Sequence, residues 1–153
     1  MKRKERTLDA KAAGAFLRGW ARRFLPGWKI TIRTAPKLES EEGEESIYAM
    51  THSFPLDREV LFTIYVPIKI DPKDSAQGLP RARVSWELIS FHEIAHAIVS
   101  LPLQAMRTDT YRIKKHLPPA LAEDFLARME DYEEGIVNCL AVSLALAVED
   151  ELD

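Results

Sequence analysis

The sequence predicts a single α+β domain over residues 1–153, because helical and strand patterns occupy separate parts of the chain. An amphipathic helical pattern covers residues 8–24, where apolar residues recur every three or four positions. Alternating apolar and polar residues predict a strand at 28–34. Segments rich in aromatic and β-branched residues predict an antiparallel hairpin at 46–53 and 58–70. These segments together predict a small three-stranded sheet.

Two longer helical patterns fill the second half of the chain. The first covers residues 80–101, with Pro80 in its first turn, and Pro102 is expected to end it. Residues 104–119 show no clear period and are expected to be irregular. Residues 119–148 then follow a helical pattern, in which Gly135 is the point where the helix could break.

Composition excludes several classes of protein. The chain is 46% hydrophobic and 29% charged, which is ordinary for a globular domain. Its single cysteine, Cys139, cannot form an internal disulfide, and this argues against thiolate zinc ribbons and favours a reducing compartment. There is no apolar run of about 18 residues and no signal-peptide pattern. We therefore expect a cytoplasmic protein without a membrane partner.

The N-terminal part of the chain is basic. Residues 1–37 contain 11 lysines and arginines against two acidic residues. A basic helix could contact nucleic acid, but no nucleic-acid-binding motif accompanies the charge. We expect a solvated basic face and no nucleic-acid partner.

The segment SFHEIAHAIVS, residues 90–100, places three ionisable side chains in an apolar helical run. His92 and His96 are four residues apart, so they project from one face of the helix and can bind the same ion. With one further donor they form a three-ligand zinc site that leaves a position for water. Glu93 can accept a proton from that water, and this H-E-x-x-H pattern is the signature of a metallopeptidase.

A later helical segment offers the third ligand. Within EDYEEGIVNCLAVSLALA, residues 130–147, either Glu133 or Glu134 can face the core. Glu134 is favoured because Asn138 lies four residues further on the same face, where it can hydrogen-bond a ligating imidazole. Glu133 has the same chemistry, and His116 would complete a three-histidine site. Sequence reasoning leaves these alternatives open.

Two motifs carry a resemblance to a known family. The chain resembles a minimal gluzincin, the HExxH-plus-glutamate branch of the zincin metallopeptidases, through HEIAH at 92–96 and EEGIVN at 133–138. The order of helix, three strands, active-site helix and glutamate helix matches as well. Metzincins are excluded, because they require glycine and histidine where this chain has Val99 and Pro102.

This resemblance implies a zincin-like fold and a zinc-dependent peptidase. By the resemblance His92, His96 and Glu134 would bind Zn²⁺, and Glu93 would be the general base and acid. A protein or peptide substrate would add as an extra strand beside the strand at 60–66 or its neighbour.

The resemblance leaves two matters open. Gluzincins supply a tyrosine or histidine to stabilise the oxyanion, and Tyr111, His116 and Tyr132 are the candidates here. The family also contains repressor-cleaving regulatory proteases of the ImmA/IrrE type, which is one alternative function. Another is a non-catalytic interaction module that keeps the metal site, although the presence of Glu93 argues against that alternative.

Overall fold

A computed structural model describes residues 6–37, 48–70, 75–76, 79–83 and 85–152, and its elements form an α+β fold. The helices are α1 (Ala10–Phe24), α2 (Trp86–Ile98), α3 (Ser100–Lys114) and α4 (Pro119–Ala147), and a 3-10 turn follows at Glu149–Glu151. The strands are β1 (Arg6–Leu8), β2 (Lys29–Pro36), β3 (Ala49–Phe54), β4 (Glu59–Val66), β5 (Ile68–Ile70), β6 (Ser75–Ala76) and β7 (Leu79–Arg83). The α+β prediction is confirmed.

The main sheet has three strands in the order β2-β4-β3. β3 and β4 form the predicted antiparallel hairpin, and β2 pairs with β4 in parallel. Central β4 therefore has a partner on each side. The segment predicted as one strand at 58–70 is divided into β4 and β5, and residues 46 and 47 of the predicted hairpin lie outside the described residues. β3 is an edge strand, and no other strand among the described residues pairs with its outer side. The remaining strands form two small pairs, β1 with β5 and β6 with β7.

The inner face of this sheet packs against α1 and α2. Ile32, Phe62 and Thr51 lie side by side across β2, β4 and β3, so all three side chains project from that face. A Cβ on Gly14 of α1 would lie 3.8 Å from both Ile32 and Ile64, which places α1 directly over the strands. Phe62 and Ile64 are fully buried beneath it.

Aromatic packing fixes α2 against α1. The ring centroid of Phe91 lies 5.6 Å from that of Trp20 and 6.2 Å from that of Phe24, both in edge-to-face geometry. At the start of α2, the indole nitrogen of Trp86 donates a hydrogen bond of 3.0 Å to the carbonyl of Ala13. These contacts fix the position of α2 immediately before His92, the first histidine of the motif.

The helix expected at 80–101 begins later than predicted. Residues 79–83 form strand β7, which pairs with β6, and α2 starts at Trp86. Ser85 provides the start signal, because its hydroxyl accepts a hydrogen bond of 3.1 Å from the backbone N–H of Leu88. The proline at position 80 is thus in a short strand and not in the first turn of a helix.

The segment predicted to be irregular is helical. α2 ends at Ile98, and α3 begins two residues later, so Pro102 lies in the first turn of α3. A proline is tolerated there because an N–H in the first turn has no partner within the helix. The period was hard to detect because only Leu103 and Thr110 of α3 are buried.

α4 is continuous over 29 residues, so the predicted helix is confirmed and does not break at Gly135. It packs closely against α2 and more sparsely against α3. No helix in the described part of the chain is long and apolar enough to cross a membrane.

Candidate metal centre

The two motif histidines lie together on one face of α2. His92 and His96 have ring centroids 4.7 Å apart, and their Nε2 atoms are separated by 3.1 Å. Neighbouring positions on the helix are fully buried, Phe91, Ile94 and Ala95 among them. Because α2 is buried around the two histidines, their imidazoles are held with the Nε2 atoms facing each other.

Glu134 of α4 faces this histidine pair. Its carboxylate oxygens lie 3.7 Å from Nε2 of His92 and 3.6 Å from Nε2 of His96. One potential ligand atom from each of the three residues lies within 4.8 Å of the others. Oε2 of Glu134 is enclosed, yet it has no hydrogen-bond partner among the described residues. The structure thus brings together the three residues that the sequence favoured as ligands.

Asn138 orients the first histidine, as its spacing from Glu134 predicted. Nδ1–H of His92 donates a hydrogen bond of 2.9 Å to Oδ1 of Asn138. This bond places the proton of the neutral ring on Nδ1, so the lone pair on Nε2 points towards His96 and Glu134. The tautomer is the one that a metal ligand at Nε2 requires.

Both imidazoles are held in the neutral form. Burial lowers the pKa of His92, although the charge of Glu134 acts in the opposite direction. Burial, together with the charges of His92 and Arg107, lowers the pKa of His96 to about 4, although the charge of Glu133 acts in the opposite direction. Because a metal competes with protons for the imidazole lone pair, neutral rings at neutral pH favour coordination.

Glu93 lies beside the site on a different face of α2. Its residue is only 6% exposed, and the hydroxyl of Thr51 in β3 donates a hydrogen bond to its carboxylate. Burial raises the pKa of Glu93 to about 7, while the Thr51 hydrogen bond lowers it and the charge of Glu134 raises it. A carboxylate with such a pKa can both accept and return a proton near neutral pH. Sequence reasoning missed Thr51, which is 42 residues away and carries no motif.

Glu133 points away from the histidines towards α3. Both of its oxygens accept hydrogen bonds from Arg107, at 2.8 and 3.0 Å from Nε and 2.6 Å from Nη2. Among the described residues, the candidate ligand cluster contains Glu134 and neither Glu133 nor His116. His116 lies in the exposed turn after α3.

The three candidate oxyanion donors are all exposed. Tyr111 is 60% exposed, Tyr132 is 68% exposed, and His116 lies in its exposed turn. Tyr132 is two residues before Glu134 on α4, so its side chain projects from nearly the opposite side of that helix. No hydrogen bond in the described part of the chain joins any of the three to the cluster.

The donor set fits a divalent metal ion. Two neutral imidazoles and one carboxylate are the ligands that catalytic zinc sites use, and the enclosed Oε2 of Glu134 has no hydrogen-bond partner in the part of the chain that the structure describes. Comparison of the chain with protein-family models, curated proteins and solved structures found no match. The function must therefore be argued from the site itself.

Proposed function

We propose that this protein is a zinc-dependent peptidase with a zincin-like, gluzincin-type site. The observation that carries the proposal is the convergence of His92, His96 and Glu134, with Glu93 on the same helix as the two histidines. Two ligands from one helix, a third from a later helix and a neighbouring carboxylate are the parts needed for metal-assisted hydrolysis.

Each residue has a definite task in this reaction. His92 and His96 would hold a zinc ion through neutral Nε2 donors, and Glu134 would hold it through a carboxylate oxygen. The chemistry supplied by such an ion would be a more acidic bound water and a more polarised scissile carbonyl. Glu93 accepts the proton of the attacking water and returns it to the leaving amine.

Thr51 links this chemistry to the sheet. Its hydroxyl holds the carboxylate of Glu93 from β3, and it also lies 3.1 Å from the backbone carbonyl of Glu93. β3 is one of the two edge strands of the sheet, and an extended peptide could pair with its outer side. The expected pairing at 60–66 cannot involve β4, which is flanked on both sides, and of its two neighbours β3 is the one that packs against α2.

Two variants of the full-length protein test the proposal. The wild type should bind about one zinc ion per chain and cleave a mixture of quenched fluorogenic peptides. Glu93→Gln should abolish cleavage and retain zinc, because it removes only the proton acceptor. Glu134→Ala should lose most of the zinc, while Glu123→Ala, an exposed change on the same helix, should behave as wild type.

The outcomes separate the competing functions. Cleavage by Glu93→Gln would contradict the assigned base, and full zinc loading of Glu134→Ala would contradict the assigned ligand. Zinc binding by the wild type without cleavage of any peptide would favour a non-catalytic zincin-fold module. Cleavage confined to repressor proteins would favour the regulatory alternative.

A further inference from the structure

We propose that Arg107 is a positioning residue that keeps Glu133 out of the metal site, so that Glu134 alone of the two adjacent carboxylates serves the histidines. The inference rests on the proposed zinc site and adds to it a residue of α3 that belongs to no motif.

A selection between the two glutamates is needed because they are adjacent on α4 and the charge of each acts on one histidine of the pair. The charge of Glu134 influences His92, and the charge of Glu133 influences His96. Glutamate side chains have three rotatable bonds, and either carboxylate is an acceptable zinc ligand. Spacing along α4 alone therefore does not reserve the site for one of them.

The hydrogen bonds of the two carboxylates differ completely. Both oxygens of Glu133 are engaged by the guanidinium of Arg107 in a forked, charge-assisted contact. The Glu133 side chain is only 11% exposed, so water contributes little to its solvation. Oε2 of Glu134, by contrast, has no hydrogen-bond partner among the described residues. Arg107 thus satisfies one carboxylate and leaves the other for the histidine pair.

Loss of the guanidinium would change the balance of charge beside the site. The carboxylate of Glu133 would be buried and unpaired, which is costly unless it gains a proton or a cation. A metal held by His92, His96 and Glu134, the residue next to Glu133, would offer such a cation. Arg107→Gln should therefore leave the carboxylate of Glu133 free to bind that metal as an additional ligand.

Arg107→Gln should bind the metal more tightly than the wild type, whereas general damage to the site would weaken metal binding. Zinc affinity, measured by competition with a chelator, should rise about tenfold or more in Arg107→Gln, because one positive charge is removed and one negative charge is unmasked. The visible absorption of the Co²⁺-loaded variant should also differ from that of the wild type, because the ligand set changes.

Two further variants provide the controls. Glu133→Gln alone should keep the wild-type spectrum and lower the affinity, because it leaves the guanidinium of Arg107 unpaired near the site. Arg107→Gln combined with Glu133→Gln should return to the wild-type affinity and spectrum. Arg107→Lys keeps the charge but loses the forked contact, so it should show a smaller change and serves if Arg107→Gln does not fold.

Wild-type affinity and spectrum in Arg107→Gln would overturn the inference and leave the zinc site intact. A rise in affinity that persists in the double variant would also overturn it, because the additional ligand would then not be Glu133. Failure of the wild type to bind Zn²⁺ or Co²⁺ would instead overturn the proposed function, and the inference with it.

Discussion

The consecutive helices α2 and α3 contribute to the same site in opposite ways. α2 has 13 residues, of which seven are buried, and it carries the two candidate ligands and Glu93, the proposed base. α3 has 15 residues, of which only Leu103 and Thr110 are buried, and it contributes the single side chain of Arg107. A densely packed helix can hold reactive groups rigidly, whereas a sparsely packed helix can still decide which of two groups is available.

The largest expected difference between the two helices is in stability. Phe91→Ala should lower the free energy of unfolding by about 3–5 kcal/mol, because it leaves a cavity where α2 packs on the aromatic face of α1. The matched change on α3, Ile113→Ala, removes a side chain that is 49% exposed and should cost less than about 1 kcal/mol. Urea denaturation measures both values, and equal losses would contradict the contrast between the helices.

A second difference is expected in the pH dependence of the metal-free protein. The pKa of Glu93 rises from 4.5 to about 7 on folding, so the stability from this group is complete below pH 4.5 and is lost as the pH rises to 7. The loss should be about 3 kcal/mol and should be absent from Glu93→Gln. On α3, Asp109→Asn should keep the wild-type profile, because the Asp109 side chain is 71% exposed.

Thermal or urea unfolding from pH 4.5 to 8.5 tests this prediction. The buried histidines act with the opposite sign, since their lowered pKa values remove stability as the pH falls below 6.5. The difference between the wild type and Glu93→Gln isolates the carboxylate. Parallel profiles for these two proteins would mean that Glu93 does not carry the assigned burial cost.

The smallest expected effect comes from Asn138 of α4, which orients the proposed ligand His92. Asn138→Ala should weaken zinc binding about 10–100-fold, because His92 loses the hydrogen bond that fixes its tautomer. Ser143→Ala on the exposed side of α4 should leave the affinity unchanged, since that hydroxyl bonds only to the carbonyl of Cys139. Chelator competition measures both, and unchanged affinity in Asn138→Ala would show that packing alone orients the imidazole.

Much of the candidate site could be predicted because it depends on spacing along helices. The positions of His92, His96 and Asn138 follow from residues four apart sharing a face, and the structure places them accordingly. The strand patterns correctly predicted the hairpin of β3 and β4. The helical residues could be predicted because they are close in sequence, and the strands could be predicted because their pattern of residues is regular.

The failed predictions involve segments whose pattern is weak. The absence of a clear period predicts irregular structure at 104–119, but this segment belongs to α3, and Pro102 does not end the helical run because a first-turn proline costs a helix nothing. The start of α2 lies later than predicted because a hydrogen bond from the Leu88 backbone to Ser85, not the preceding proline, marks it. In both segments a proline is a poor guide to where the helix begins or ends.

The sequence by itself determined that two imidazoles and a carboxylate would lie on one apolar helix, because helical geometry leaves no other arrangement for that spacing. The spacing to Asn138 favoured Glu134 over Glu133, but only the tertiary structure shows which carboxylate faces the histidine pair. Arg107, 26 residues before Glu133, binds Glu133, whereas Glu134 lies beside the two imidazoles. Local geometry specifies which groups can meet, whereas long-range pairing of buried charges specifies which of them remains free to act.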